Sequence, residues 1–447
     1  MSEATTPAEH FRSLFDQTAP DLPGAGNAWV AERRRAAMSR FSELGFPEPR
    51  EEAWKYTRLK PMARHAFALP PAETGADVTA DDVAPYDLGE TGAHRLVFVD
   101  GRFAPDLSRI EDLPVGVTLE PMSRALTGDH PALQRHLGAY ADPEGTPFVA
   151  LNTALMTDGI FLHLPDGVRL ERPVHMLVLT TAAADEVSAH YRNLMVAEDG
   201  AAGALVEETQ GLTDEATAFN NFVTEAVAGT GARVDVHRLQ EEGTGTYQIA
   251  AFEGYQAADS HIRHTNIALG GRLTRADIGD VLDAEGAEVD MDGLYLGDDR
   301  QHVDTHTRID HLRPRCVSRE HYKGVLDGRS RGVFNGRVVV HPQAQETESD
   351  QQNNNLLLSR GAEVDPKPEL EIFADDVSCT HGATVGQLDD DALFYLQSRG
   401  IATEEARNLL IFGFANEIIE RIDIEPLRAR LEERLLSRLP HAQSMEE

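Results

Sequence analysis

Cysteine is nearly absent from this sequence, and the shortage limits the chemistry that the chain can perform. Only Cys316 and Cys379 occur among 447 residues. Two thiols are too few for a disulfide framework, and they cannot supply the four-cysteine ligand set of a common iron–sulfur cluster within one chain. Because such scarcity is typical of proteins in a reducing compartment, we predict a cytoplasmic location.

Long apolar runs and an excess of basic residues are also missing. No run of about 18 apolar residues occurs, and the first residues, MSEATTPAEHFRSLF, have neither a basic start nor an apolar signal core. Lys plus Arg total 41 against 75 for Asp plus Glu, which gives a formal net charge of −34. We therefore expect no membrane segment and no surface for nucleic acid or anionic lipid.

Several catalytic signatures are absent as well. The sequence contains no GxxxxGK[ST] phosphate loop, no HExxH zinc motif and no CxxC pair. Any nucleotide hydrolysis linked to this protein must therefore come from another subunit. Carboxylates are so abundant that no two of them stand out as a general acid and base.

Helical signals are concentrated at the two ends of the chain. We predict a helical N-terminal region and linker over residues 1–90, a β core over residues 91–384 and a helical domain over residues 385–447. The clearest N-terminal helix runs from Asn27, as its cap, to Gly45, with apolar residues at spacings of three and four. The polar, Pro- and Asp-rich stretch over residues 69–90 is interpreted as the linker.

Short strand-like segments dominate the middle region. Their residues alternate between apolar and polar, with Gly, Asp or Asn between segments, as in RLVFVDGRF, GIFLHLP, ARVDVHRLQ, AEVDMDGLYL and RGVFNGRVVV. Hardly any helical stripe interrupts them, which argues against an α/β fold. We predict a mainly β protein whose core is an elongated coiled sheet of the β-helix or solenoid type.

Apolar stripes return in the last sixty or so residues. Residues 389–399 predict one helix, Thr403 is expected to cap a second, and Pro426 lies in the first turn of a third that carries leucines four residues apart. These helices either cap an exposed end of the β core or dock a partner. The sequence leaves both roles open.

The segment LEIFADDVSCTHGATVG, residues 370–386, contains the most unusual residue pair. If the segment is a strand, Cys379 and His381 project from the same face and place a thiol beside an imidazole. Such a pair is half of a metal site. The alternative is a small buried thiol beside a hydrogen-bonded histidine with no chemical role.

A second group of chemically active side chains lies upstream, in QHVDTHTRID. His302, Asp304 and His306 alternate with Val303 and Thr305 and would line one face of a strand. Two imidazoles and a carboxylate resemble the ligands of zinc or non-haem iron sites. The alternative is an ordinary polar outer face.

Long stretches of the chain resemble the SufB/SufD family of the SUF iron–sulfur cluster assembly system. They are DTHTRIDHLRPRCVSREHYKGVLDGRSRGVFNGRVVVHPQAQETESDQQNNNLLLS, residues 304–359, and AEVDPKPELEIFADDVSCTHGATVGQLDDDALFYLQSRGI, residues 362–401. EEAWKYT, residues 51–57, is similar to the family's N-terminal motif. The resemblance spans most of the chain. The few cysteines place it with the SufD branch and not with the cysteine-richer SufB.

This resemblance implies a right-handed parallel β-helix core with N-terminal and C-terminal helical regions, and a scaffold subunit in place of an enzyme. It also implies a SufBCD complex in which SufB meets the β-helix, the C-terminal helices hold the ATPase SufC, and a transient iron–sulfur cluster forms at the contact with SufB. The isolated chain would bind no cofactor stably, and its SufB-facing surface is able to pair with itself in a homodimer.

The implied site residues are few. The family motif ADDVxCxHGATVG places its histidine on His381 and its cysteine on Cys379, at the cluster-assembly interface. His381 would ligate metal together with the partner chain, whereas the resemblance implies no role for His302, Asp304 or His306. Two other classes stay open: a mononuclear metal-binding β-helix protein that uses those three residues, and a cytosolic β-helix enzyme acting on carbohydrate.

Overall fold

The computed structural model describes residues 6–71, 77–89 and 92–439; parts of the predicted linker, residues 72–76 and 90, lie outside them. The helices are α1 (Pro7–Thr18), α2 (Ala28–Leu44), α3 (Ala80–Val83), α4 (Met122–Ala125), α5 (Pro131–His136), α6 (Pro147–Leu155), α7 (Asp390–Ser398), α8 (Thr403–Ile419) and α9 (Glu425–Arg438). The strands are β1 (His94–Val99), β2 (Arg102–Phe103), β3 (Thr118–Pro121), β4 (Ile160–Leu164), β5 (Val174–Thr180), β6 (Ser188–Ala197), β7 (Ala202–Gly211), β8 (Phe219–Ala228), β9 (Arg233–Glu241), β10 (Tyr247–Gln256), β11 (His261–Ala268), β12 (Leu273–Leu282), β13 (Glu288–Gly297), β14 (His302–His311), β15 (Val317–Leu326), β16 (Arg331–Val340), β17 (Thr347–Leu357), β18 (Glu363–Ile372) and β19 (Val377–Gly386).

The strands form a parallel β-solenoid of about eight turns, as the sequence predicts. From β4 onward, successive strands alternate between two sheets. The first sheet has the order β19-β17-β15-β13-β11-β9-β7-β5-β1-β2, and the second has the order β18-β16-β14-β12-β10-β8-β6-β4-β3. Only the pairs β1–β2 and β3–β4 are antiparallel among the described strands. The strands run from His94 to Gly386, while the predicted division of the chain at residues 90 and 384 stays a prediction.

The alternation of apolar and polar side chains along each strand explains why the two sheets stack. On β13, Val289 and Met291 are buried in the main core between the sheets, whereas Glu288 and Asp290 lie half-buried on the outer face. One turn takes about 30 residues, since Glu288 aligns with Val317 and Val317 with Glu348. The inward stacks of apolar side chains therefore run the length of the solenoid and supply most of its stability.

The connections between strands need unusual backbone angles. Gly328, between β15 and β16, has a φ of 60°, and a side chain there would place its Cβ 2.7 Å from the backbone nitrogen of Asp299 one turn below. Only glycine meets both conditions without strain. The Gly-rich punctuation of the sequence thus corresponds to tight corners between stacked turns.

The core also contains buried carboxyl groups, of which Asp280 on β12 is one. Its side chain is fully buried, and its Oδ1 accepts a hydrogen bond of 2.8 Å from Nε2 of Gln256. Burial raises the pKa of Asp280 to about 7, although the hydrogen bond from Gln256 opposes the rise. The native state therefore favours the protonated acid.

We expect Asp280→Asn to stabilise the protein at pH 8 and to have a smaller effect near pH 5. The native pKa lies above the unfolded value, so the wild type loses stability as the pH rises between the two, and an amide cannot ionise. Thermal unfolding midpoints across this range test the prediction. Asp129→Asn, which changes an exposed aspartate, serves as the control. The prediction is contradicted if the unfolding midpoint has the same pH dependence in wild type and in Asp280→Asn.

The N-terminal helices α1 and α2 pack on the second sheet together with α6. Helix α2 matches the predicted helix, and its Arg34 is buried, with its guanidinium donating hydrogen bonds of 2.9 Å to the carbonyl oxygens of Ala154 and Met156 at the end of α6. The predicted cap at Asn27 is wrong in one respect, since its side chain makes no capping hydrogen bond. Arg34 thus satisfies the orphan carbonyls of one helix from the side of another.

Helices α4, α5 and α6 lie inside the stretch that the sequence predicts as almost entirely strands. All nine residues of α6 are buried, so it has no polar face. An amphipathic stripe is the pattern by which a helix is recognised in sequence, and a helix that is apolar all round lacks it.

The C-terminal helices lie against the side of the solenoid and do not cover its end. Apolar residues of α8 and α9 pack on the outer face of the first sheet, where Leu427, Leu431 and Leu435 meet side chains such as Val206 and Leu239. The shared face of these leucines is confirmed, and the end-capping role is wrong. Thr403 is the first residue of α8, and the cap position is Ala402.

None of the helices in the part of the chain that the structure describes has the length and apolar character that a membrane crossing requires.

Candidate functional site

The last turn of the solenoid contains the predicted thiol and imidazole. The segment over residues 370–386 folds as the end of β18, a short connection and β19, so the strand predicted around Cys379 and His381 is confirmed. Cys379 aligns with Ser349 of β17, and His381 aligns with Gln351. The two side chains are therefore about 7 Å apart along one face of the strand.

This face is the inner one. Val377, two residues before Cys379, packs together with it against the main core. Cys379 is half-buried while His381 is exposed, because β19 is the last strand of its sheet and no further turn stacks on it. The pair thus lies in the mouth of the solenoid, at what we call the open end, formed by β18 and β19.

Burial controls the state of the thiol. Removal from water raises the pKa of Cys379. The isolated chain therefore holds Cys379 as a neutral thiol at neutral pH, which is a poor nucleophile and a poor metal ligand. A change in its surroundings is needed before it reacts.

The open end supplies fewer ligands than a metal ion requires. Within residues 6–71, 77–89 and 92–439, no group of three or more His, Cys, Asp or Glu side chains is arranged to hold a metal ion. Cys379 and His381 offer one sulfur and one nitrogen donor, which is half of a tetrahedral set. Any complete site that uses them needs ligands from elsewhere.

The open end is also unpaired along its backbone. In the described part of the chain, β18 and β19 each have a neighbour on one side only. Apolar side chains are exposed beside them, including Phe373 at 61% and Val385 at 49%. Unpaired strand edges with apolar surface are typical of sites where another chain adds.

The second predicted group occupies a different place, on the outer face of β14. His302, Asp304 and His306 do share a face, as predicted. Asp304 is buried, and its carboxylate accepts hydrogen bonds from the Thr57 hydroxyl and, at 2.7 Å, from Nη1 of Arg275. His306 Nε2 lies 3.0 Å from the Asp304 carboxylate.

The charges around Asp304 keep its carboxyl group ionised. Burial opposes ionisation of Asp304, but the Arg275 guanidinium and His306 outweigh it and hold the pKa of the carboxyl well below its usual range. His302 Nε2 lies 2.7 Å from the Thr57 hydroxyl, so its polar atom is also engaged. This arrangement is an ion-pair network, and metal ligation by its histidines gains no support from it.

The network explains the motif EEAWKYT near the N-terminus. Trp54 stacks over Arg275, with the guanidinium carbon 3.9 Å from the ring centroid, and Thr57 bonds to Asp304. A cation over a desolvated tryptophan face adds a further attraction. The motif therefore attaches the N-terminal region to the outer face of the second sheet.

Comparison with known proteins decides the family. Residues 179–414 match the family described as "SUF system FeS cluster assembly, SufBD core domain", and residues 5–176 match "SufBD protein N-terminal region". The chain belongs to the SufBD family. The resemblance noted from the sequence is thereby confirmed. Because the family assembles iron–sulfur clusters, the alternative of a β-helix enzyme acting on carbohydrate is dropped.

Full-length relatives agree with this assignment. An iron–sulfur cluster assembly SufBD family protein of Synechocystis is 32% identical, covering 92% of this chain and 91% of the relative. The iron–sulfur cluster assembly protein SufD of Escherichia coli is 31% identical, covering 90% and 92%. SufD of Bacillus subtilis is 26% identical over the same shares of the two chains.

Sequence reasoning missed two features of this SufBD protein. Arg275 carried no signal, because only the fold brings it to Asp304 and Trp54. The letters from Gly328 to Gly332 fit the pattern GxSxG, yet Gly328 to Ser330 lie in the turn between β15 and β16, and the last two residues begin β16. Ser330 is buried and donates to the carbonyl oxygen of Asp327. Ser330 is therefore a structural residue and not an exposed nucleophile.

Cys316 is likewise structural in this SufBD protein. It is buried in the main core, and its Sγ donates to the carbonyl oxygen of Ala284 at 3.2 Å. Burial raises the pKa of its thiol. An inert buried thiol of this kind belongs to the packing of the core.

Proposed function

We propose that this protein is a SufD-type scaffold subunit of a SufBCD complex, in which a transient iron–sulfur cluster assembles at its contact with SufB while SufC hydrolyses ATP. The observation that carries the proposal is the open end, where Cys379 and His381 offer two soft or borderline ligands beside two unpaired strands. Family membership supplies the reaction class.

Contact with SufB follows from the shape of the open end. A homologous solenoid presents similar unpaired strands, and strand addition would satisfy the edges of β18 and β19 and cover Phe373. The partner would then supply the ligands that this chain lacks. When SufB is missing, the same surface is able to pair with a second copy, which gives the homodimer.

Contact with SufC follows from the C-terminal helices. Phe394 on α7 is 71% exposed, its neighbour Tyr395 is 57% exposed, and Leu409 of α8 is exposed as well. Aromatic side chains on a surface helix are typical of protein interfaces. The sequence has no phosphate loop of its own, so ATP is assigned to SufC and this chain is not an enzyme.

The fold connects the two contacts. Helix α8 packs against β13 and β15, and Lys323 of β15 donates to the carbonyl oxygen of Phe414 at 3.0 Å and pairs with Glu417. Closure of a SufC pair that pulls on α7 and α8 would thus move strands close to the open end. Rearrangement there would expose the Cys379 thiol, lower its pKa and let it bind iron.

We place the complex in the cytosol and expect no stable cofactor on the isolated chain. Both cysteines are free thiols, as in a reducing compartment. Two donors at the open end hold a cluster only while the partner completes the ligand set.

Co-expression with SufB and SufC tests the two contacts separately. We expect Phe394→Asp to weaken binding of SufC about tenfold or more, since a charge replaces an aromatic contact worth ~1.4 kcal/mol or more. SufB should remain bound. The measurement is the amount of each subunit that co-purifies with a tagged chain.

Phe373→Asp is the matched variant, because it changes another exposed phenylalanine at the open end. It should show the reverse pattern, with loss of SufB and retention of SufC. If neither variant changes either subunit, or both variants lose the same one, the assignment of the two surfaces is wrong.

A further inference from the structure

Three polar side chains stand in one inward-facing row that ends at His381. Glu320 of β15 aligns with Gln351 of β17, and Gln351 aligns with His381 of β19. Adjacent parallel strands are about 4.8 Å apart, so each residue lies beside the next. Glu320 and Gln351 are buried, and only His381 reaches the open end.

The amide of Gln351 has a fixed direction. Its Nε2 donates a hydrogen bond of 2.6 Å to Oε2 of Glu320. Burial raises the pKa of Glu320 to about 7, so at pH 8 its side chain is mainly a carboxylate, which only accepts hydrogen bonds. The amide nitrogen of Gln351 therefore points toward β15 and the amide oxygen points away from it. The side away from β15 is the side of β19.

The opposite sheet keeps this amide in place. Gly336 of β16 lies across the core, and a Cβ at that position would come within 2.4 Å of Nε2 of Gln351. It would also meet the ring of Phe334 at 2.9 Å. The glycine therefore leaves just enough room for the amide, which is enclosed by packed side chains.

A buried amide oxygen without a partner lies next to a histidine ring that the protein does not engage. Oε1 of Gln351 is buried and accepts no hydrogen bond from any described residue. His381 is its neighbour in register, and within the described residues its ring makes no hydrogen bond with the protein. Buried amide oxygens are rarely left unpaired, and the ring N–H of His381 is the donor that lies next to Gln351 in register on the neighbouring strand.

We propose that Gln351, oriented by Glu320, is a positioning residue for His381: its Oε1 accepts a hydrogen bond from one ring N–H and leaves the other ring nitrogen free, facing the open end. A histidine that ligates metal is commonly oriented in this way through its second nitrogen. The assignment of iron as the metal that the free nitrogen binds rests on the proposed function. The hydrogen bond between Gln351 and His381 does not depend on that function.

Histidine NMR on the isolated chain tests the hydrogen bond. In protein labelled with ¹⁵N-histidine, at a pH of about 8, which lies above the ordinary pKa of histidine, the His381 signals are those that disappear in His381→Ala. We expect wild type to show one ring tautomer. In Gln351→Met the two nitrogen signals should move toward each other, as in a ring that exchanges between tautomers.

Gln352→Met is the matched control. It makes the same substitution one residue later, on the exposed outer face of β17, and should leave the His381 signals unchanged. If Gln351→Met does not fold, Glu320→Gln serves instead. The amide introduced at position 320 can donate as well as accept a hydrogen bond, so it no longer fixes the direction of the Gln351 amide. Unchanged His381 signals in the folded variants would overturn the proposal.

Cluster content in the co-expressed complex separates this inference from the proposed function. Loss of an orienting partner commonly lowers metal affinity about 10–100-fold, so iron and sulfide per complex should fall about tenfold in Gln351→Met and stay constant in Gln352→Met. Altered NMR signals with full cluster content would support the hydrogen bond and overturn its role in holding iron.

Discussion

Replacing His381 with alanine is expected to lower the iron and sulfide carried by the co-expressed complex about tenfold or more, the scale expected when a metal site loses a ligand or an orienting group. The imidazole is exposed at the open end, where neighbouring side chains do not depend on it for packing. Folding and subunit assembly should therefore survive the change. Anaerobic purification, followed by iron, sulfide and absorbance analysis, gives the result.

His341→Ala is the control for this experiment. His341 follows β16, is also solvent-accessible, and lies 3.5 Å from the Asp310 carboxylate, away from the row that ends at His381. Its replacement should leave cluster content unchanged. A complex of His381→Ala with wild-type iron and sulfide would return His381 to a structural role and would leave the scaffold proposal standing on the family and the open end alone.

The fold was largely predictable because most of its elements show their burial in their sequence. The alternation on β13 marks an inner and an outer face, and the leucine spacing of α9 marks one buried side. Helix α6 was missed because it is buried all round and shows neither pattern. Sequence periodicity therefore predicts elements at the boundary between core and solvent better than elements inside the core.

The candidate site was predictable only where its residues are close in sequence. Spacing alone places Cys379 and His381 on one strand face. The place of Asp304 could not be found in this way, because its partners Thr57 and Arg275 lie 247 and 29 residues away. Gln351 was hidden for the same reason, since strand register decides which side chain of β17 lies next to His381.

The ion-pair network on β14 leads to the largest expected effect on stability, in Arg275→Met. The side chains of Arg275 and Asp304 are 2% and 1% exposed, and their charged atoms are 2.7 Å apart. Removing one partner of such a pair leaves an uncompensated buried charge, which costs roughly 3–5 kcal/mol. Trp54 also loses the cation beneath its ring. Urea denaturation followed by circular dichroism measures the loss.

The effect of Arg275→Met should depend on pH in a defined direction. The pKa of Asp304 is below its unfolded value, so its ionisation stabilises the native state above a pH of about 4, and this contribution is lost as the pH falls below that value. The difference between wild type and Arg275→Met should therefore shrink in acid. A difference that stays constant down to pH 3 would contradict the assignment of Asp304 as the charged partner.

A double variant separates the pair from the packing around it. Replacing both partners, as in Arg275→Met with Asp304→Leu, removes the orphaned charge, so the double variant should be more stable than Arg275→Met alone. Arg319→Met is the control on an exposed surface, where the arginine is 46% exposed beside Asp290 and the expected loss is about 1 kcal/mol or less.

Trp54 fluorescence adds a local measurement of how the N-terminal motif is attached. If the motif EEAWKYT is held by this network, the Trp54 signal in Arg275→Met should change at a lower urea concentration than the circular dichroism of the solenoid. Simultaneous transitions would show that the N-terminal region is attached mainly by the apolar contacts of α1, α2 and α6, and that the charges add little to them.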